Sequence, residues 1–165
     1  MSDLTSAPHV SSARASTDDY QFSEQIGHLL RRAYQRHVAL FQQTIPDSQL
    51  TAAQFVVLCA VRDQDACSLS DVVRITAIDQ ATVRGVMERL KSRDLLQVAQ
   101  DAVDRRKVMV TLTDTGRALV GEMVPFAEKI TTDTFGDLNP AERVAMIYLL
   151  RKMCEVDTAP SSSGN

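Results

Sequence analysis

The sequence predicts a mainly α-helical protein with one small β wing, and three observations predict it. Apolar residues recur at helical spacing, first over Phe22, Ile26, Leu29, Leu30, Ala33, His37, Leu40 and Phe41. Reciprocal cap pairs mark helix starts at Thr51/Gln54, Ser68/Asp71 and Asn139/Glu142. Alternation replaces helical spacing where Val108, Val110 and Leu112 follow the basic turn Asp104-Arg105-Arg106-Lys107.

The elements follow in order. Residues 1–18 are small and polar, contain Pro8, and are expected to form a disordered tail. The first helix is expected to end before Pro46. The second is expected from the Thr51 cap to about Asp63, with Phe55, Leu58, Cys59 and Val61 on its apolar face. A short third helix, opened by Ser68, is expected to bury Leu69, Val72 and Val73. Residues 76–79 form a turn, and Asp79 caps a fourth helix to about Arg93 that buries Val83, Val86, Met87 and Leu90. Two short strands, 95–100 and 107–112, make a hairpin. Thr113 caps a long fifth helix to about Phe135, in which Pro125 is expected to bend or split the run. Asn139-Pro140-Ala141-Glu142 opens the last helix, expected to bury Val144, Ile147, Tyr148 and Leu150 or Met153. Residues 157–165 form a second loose tail.

The first and last helices carry apolar stripes with little nearby chain to cover them, so a two-fold helical homodimer is expected. The domain plan is then an N-terminal dimerisation helix (19–46), a central segment (47–113) and C-terminal dimerisation helices (114–156).

Composition sets outer bounds. The chain has 165 residues, 44% hydrophobic and 24% charged, with a net charge of -3. That balance argues against non-specific coating of nucleic acid, which favours strongly basic chains. Yet Arg84, Arg89, Lys91, Arg93, Arg105, Arg106 and Lys107 fall within 24 positions. A helix pair followed by a basic-tipped hairpin suits the reading of double-stranded DNA. Three cysteines, Cys59, Cys67 and Cys154, make no disulfide framework and fit a reducing cytoplasm. No apolar run approaches the roughly 20 residues of a membrane helix, so no membrane partner is expected. Three histidines, without a nucleophile–base order or metal-ligand spacing, indicate no catalytic site, metal or cofactor.

These residues carry a resemblance. The runs Met87-Glu88-Arg89-Leu90-Lys91-Ser92-Arg93-Asp94-Leu95-Leu96, Asp104-Arg105-Arg106-Lys107 and Leu112-Thr113-Asp114-Thr115-Gly116 resemble the MarR family of winged helix-turn-helix regulators over about residues 22–155. The resemblance implies a winged helix-turn-helix in a helical homodimer, bound to a pseudopalindromic operator. It also implies repression, relieved by a small aromatic carboxylic acid. More narrowly, the chain is similar to repressors of nicotinate or hydroxynicotinate catabolism. Two departures stand out: Ala102 follows Asp101 where the family commonly has proline, and Gly85 stands where an arginine is common, with Arg84 beside it.

On this reading the start of the fourth helix meets base edges in the major groove. Gln80 suits adenine, Thr82 a base or phosphate, and Arg84 guanine or the backbone. The plainer role of Gln80 and Thr82 is helix-start chemistry. Arg106 is expected in the minor groove, with Arg105 on phosphate or held by Asp104, which orders the turn. Ser68, Ser70, Lys91 and Arg93 are further phosphate candidates. An effector pocket is expected where the first helix meets the second and fifth, with His28, Arg31, Arg32 and Arg62 as candidate contacts. The competing reading is a winged-helix interaction or architectural protein without an effector.

Overall fold

The computed structural model describes residues 20–100 and 108–155. A single 3-10 turn (Phe22–Glu24) leads into α1 (Ile26–Thr44). Then come α2 (Ala52–Gln64), β1 (Cys67–Ser68), α3 (Leu69–Thr76), α4 (Gln80–Ser92), β2 (Leu96–Gln100), β3 (Val108–Leu112), α5 (Asp114–Phe135) and α6 (Pro140–Glu155). The sheet is antiparallel in the order β1-β3-β2, with Cys67 opposite Val110 and Leu96 opposite Leu112.

Local chemistry sets the boundaries. Pro46 disfavours helical geometry at Ile45, which is extended and ends α1. Thr51 and Gln54 form the expected reciprocal cap, with Thr51 N–H donating to Gln54 Oε1 at 2.8 Å. That bond gives buried Gln54 a partner. Thr113 Oγ1 accepts from Gly116 N–H at 2.9 Å to open α5. Asn139 and Glu142 cap α6 reciprocally, at 2.8 and 3.0 Å.

Leu58, Val61, Val72, Val83, Val86, Leu90, Val110 and Leu112 meet in one core, which Val120, Met123 and Ile130 extend along α5. Phe41 brings α1 to it, its ring centroid 5.8 Å from that of Phe55. Leu69, Val73 and Met87, expected inside, are half-buried at its margin.

The structure adds to or corrects the sequence reading at three points. β1 was not foreseen, because a two-residue strand has no period to detect. Pro125 does not split α5. The carbonyl that loses its donor belongs to Gly121, an exposed residue that water can reach. Finally, α6 buries none of its residues. Val144 is 70% exposed, Tyr148 63%, and Ile147 and Met153 are also exposed, while Leu150 is half-buried. The stripe of α1 behaves alike, with Ile26, Leu29 and Leu30 exposed and Phe41 buried, and Phe22 in the preceding turn is exposed as well. Periodicity located these apolar faces, but one chain does not cover them. Between them, α1 and α6 leave an apolar groove of about 470 Å³ lined by Leu29, Leu30, Ala33, Met146, Leu149 and Leu150 among others.

Gly116 is set against the backbone of Leu95, and a Cβ there would lie 2.1 Å from the Leu95 carbonyl oxygen. Gly116→Ala is therefore expected to lower stability by about 3 kcal/mol in urea unfolding. Gly121→Ala, with no atom within 4 Å of its Cβ position, is expected to be neutral or stabilising by up to about 1 kcal/mol.

Candidate nucleic-acid interface

The helix pair α3–α4 is fastened by side chains close in sequence. Ser68 Oγ donates to Asp71 Oδ2 at 2.7 Å and accepts from Asp71 N–H at 3.2 Å. The Ser68 hydroxyl is therefore occupied in capping α3. Ser70 stands exposed in the first turn. Thr76 Oγ1 donates to the Val72 carbonyl at 2.7 Å and accepts from Ile78 N–H at 3.3 Å, and Ala77 takes the left-handed conformation between them. These bonds define the turn that presents α4.

Asp79 caps α4, its Oδ1 accepting from Thr82 N–H at 2.9 Å and its Oδ2 from Thr82 Oγ1 at 2.6 Å. Hydrogen bonds from the Thr82 hydroxyl and then its N–H hold the Asp79 carboxyl below the ordinary aspartate value. The Thr82 hydroxyl proton is thus engaged within the helix start, leaving its oxygen lone pairs. Val83, Val86 and Leu90 turn α4 inward. Gln80, Ala81, Thr82, Arg84, Glu88, Arg89 and Lys91 stay exposed. The side chains of Gln80 and Arg84 make no hydrogen bond to another described residue, so both can meet a ligand. Gly85 is half-buried, with only Arg89 Nη2 near its Cβ position, at 4.0 Å.

Arg93 stands apart from the other cations. It follows α4, and its Nη2 forms an ion pair with Asp47 Oδ2 in the α1–α2 connection. The two side chains are only 25% and 19% exposed. Burial raises the Asp47 pKa, but the Arg93 hydrogen bond and the N–H of Gln49 outweigh it, and the net shift is downward. Arg93, a phosphate candidate on the sequence, is engaged in this internal pair. Nothing local in the sequence signals it, since the partners lie 46 positions apart.

Strands β2 and β3 pair from Leu96↔Leu112 to Gln100↔Val108. The wing-tip candidates Asp104, Arg105 and Arg106 lie outside the described residues.

A cavity of about 170 Å³ lies where α1 meets α2 and α5. Its lining includes His37, Phe41, Phe55, Val56, Ile130 and Thr131. Thr134 Oγ1 donates to the Ile130 carbonyl at 2.7 Å, so it accepts from His37 Nδ1–H at 3.0 Å. In the tautomer with the proton on Nδ1, His37 Nε2 is an acceptor. The four effector candidates do not line this cavity. His28 and Arg31 line a separate hollow of about 310 Å³ with Tyr20 and Phe22. Arg32 is exposed, and Arg62 pairs with Asp63 at 2.8 Å. The available signal for His37 was its position four residues before Phe41, on the same face of α1. Among the described residues, no cluster of His, Cys, Asp or Glu is arranged to hold a metal, and no helix is long and apolar enough to cross a membrane.

Comparison with known proteins matches residues 50–108 to the MarR family. The chain is similar to the HTH-type transcriptional repressor NicR of Pseudomonas putida, 53% identical over 89% of this chain and 93% of that protein. It is similar in structure to Bordetella bronchiseptica BpsR, whose DNA binding is regulated by 6-hydroxynicotinic acid. That likeness has a TM-score of 0.78 and 79% identity, covering 82% of this chain and 97% of BpsR. A mutant of Escherichia coli MarR complexed with operator DNA superposes with a TM-score of 0.73 at 25% identity, over 81% of this chain and 98% of that one.

The exposure of Arg84 leads to a direct test. Arg84→Ala is expected to cost about 1–3 kcal/mol of binding to the promoter duplex, and clearly less on scrambled duplex. Equal losses on the two duplexes in a titration at fixed salt would assign Arg84 to phosphate instead.

Proposed function

The chain belongs to the MarR family, and on that premise we propose that it is a homodimeric repressor released from a pseudopalindromic operator by a hydroxylated pyridine carboxylate. The observation that carries the DNA reading is the pair Gln80 and Arg84, exposed and with no side-chain partner among the described residues, on a helix start fixed by Asp79. In this reading residues 19–46 and 114–156 are the dimerisation helices and 47–113 the DNA-reading segment. The apolar groove between α1 and α6 receives the same faces of a second copy. Gln80, Thr82 and Arg84 face bases, and Ser70, Lys91 and the wing arginines face the backbone and minor groove. The proposal contains no catalytic step, and its place of action is the cytoplasm, where the operator is.

The effector class rests on the 79% identity to a protein regulated by 6-hydroxynicotinic acid. We place its ring between Phe41, Phe55 and Ile130 in the α1–α2–α5 cavity, with a ring hydroxyl donating to His37 Nε2. A second placement has its own observation in favour: the hollow beside His28 supplies Arg31, a cation for the carboxylate, and two aromatic rings. Either way, the acid favours release only through tighter binding to the DNA-free form.

Adding 6-hydroxynicotinic acid is expected to weaken promoter binding without altering binding to scrambled duplex. His37→Ala is expected to raise the acid concentration needed about tenfold or more, with acid-free affinity kept. Loss of response in Arg31→Ala but not in His37→Ala would select the second hollow, and no response in the parent protein would remove the effector. Leu149→Asp, on the exposed α6 face, is expected to shift the protein from dimer to monomer in sedimentation and to abolish promoter binding at the same concentration.

A further inference from the structure

Both chain connections between the proposed dimerisation helices and the DNA-reading segment converge on residues 93–95, immediately after α4. One runs from β3 into α5. There Thr113 Oγ1 donates to the Asp94 carbonyl at 2.6 Å, Thr113 N–H donates to the Leu95 carbonyl at 3.2 Å, and Gly116 packs on the Leu95 backbone. The other runs from α1 into α2 and holds the same segment through a single side-chain pair, Asp47 with Arg93. Asp47 is itself fixed, its Oδ1 accepting from Gln49 N–H at 2.9 Å. The pair is shielded, and Arg93 Nη1 is buried without a hydrogen-bond partner among the described residues. A half-shielded pair with an orphaned donor is a poor source of stability, so its effect is sought in geometry.

We propose that Asp47 and Arg93 form a latch that sets the tilt of α4 against the dimerisation helices, and so the separation of the two α4 helices on duplex DNA. The proposal rests on the division of the chain given above, in which Asp47 is the first residue after the N-terminal dimerisation segment and carries its position to Arg93. Arg93 is on this account a positioning residue and does not touch phosphate. The leverage is large. With 13 residues, α4 is about 20 Å long, so a tilt of about 3° at its C-terminal end moves the base-reading turn by about 1 Å. A pair at the far end of the helix thereby controls where Gln80 and Arg84 fall.

The test compares Asp47→Asn, Arg93→Met and the double variant on promoter duplexes of natural half-site spacing and of spacing changed by one base pair, over a salt series. Each single variant is expected to lose affinity for the natural spacing about tenfold, and the double variant to lose no more, as for partners in one interaction. Their preference for the natural spacing is expected to flatten, while the salt slope and the affinity for scrambled duplex stay those of the parent. Two results would overturn the latch. One is retention of the parent's spacing preference by both single variants. The other is a loss confined to Arg93→Met with a smaller salt slope, the signature of a phosphate contact. If the methionine variant does not fold, Arg93→Lys, which keeps the charge but loses the planar fork, is expected to flatten the preference, and a parent-like preference there overturns the proposal equally. A parent protein with no preference for promoter over scrambled duplex would instead overturn the DNA reading on which the latch depends.

Discussion

The backbone carbonyls of Asp94 and Leu95 accept hydrogen bonds from Thr113, and the bare Cα of Gly116 lets α5 begin directly against Leu95. Asp94 takes φ 53 there, and the chain leaves α4 at Ser92 and enters β2 at Leu96 across only three residues. The position of α4 follows from this junction. At the opposite end of the helix, Asp79 and Thr82 hold the start by two short bonds. Between these fixed ends Val83, Val86 and Leu90 sit fully in the core. Apart from Thr82, which serves the cap, the outward face can carry groups that meet a ligand. A helix loosely held at either end would blur the positions of Gln80 and Arg84 by distances comparable to a hydrogen bond.

A second constraint is the apolar surface that one chain leaves uncovered. Ile26 and Leu29 of α1, with Leu149 and Met153 of α6, face outward around a common groove. A contiguous exposed apolar surface of this kind marks an association site. In the proposed function a second copy covers it, and the two α4 helices become related by a two-fold axis. The α1–α2–α5 cavity lies between this association surface and the DNA-reading segment, with His37 and Phe41 from α1, Ala52 from the start of α2 and Ile130 from α5. In the proposed function a ligand there would touch α1, α2 and α5 together.

Legibility in the sequence followed distance along the chain. The caps at Thr51, Ser68, Asp79, Thr113 and Asn139 were readable because each partner lies three residues away. The core face of α4 was readable because Val83, Val86 and Leu90 repeat with the helix. Features joining distant segments were not readable: the β1 pairing of Cys67 with Val110, the Asp47–Arg93 pair, and the His37–Thr134 bond 97 positions apart. Periodicity also could not say what covers an apolar face, so the α6 residues expected inside stand outside. For the candidate site, the residue types on α4 were evident, but the Asp47 partner of Arg93 lies 46 positions away and was not. The effector candidates were chosen for charge on α1 and, with Arg62, on α2, whereas the cavity between α1, α2 and α5 is lined by the face of α1 that carries Phe41.

The central claim is that two copies of this chain present two α4 helices to one operator. Hydroxyl-radical footprinting of the protein on the promoter beside its own gene tests this most directly. The account predicts a two-fold symmetric pattern of protection whose two centres lie about one helical turn apart, roughly 10–10.5 base pairs, or a whole multiple of it. A single unsymmetrical protected segment, or protection that spreads evenly along the duplex, would contradict it.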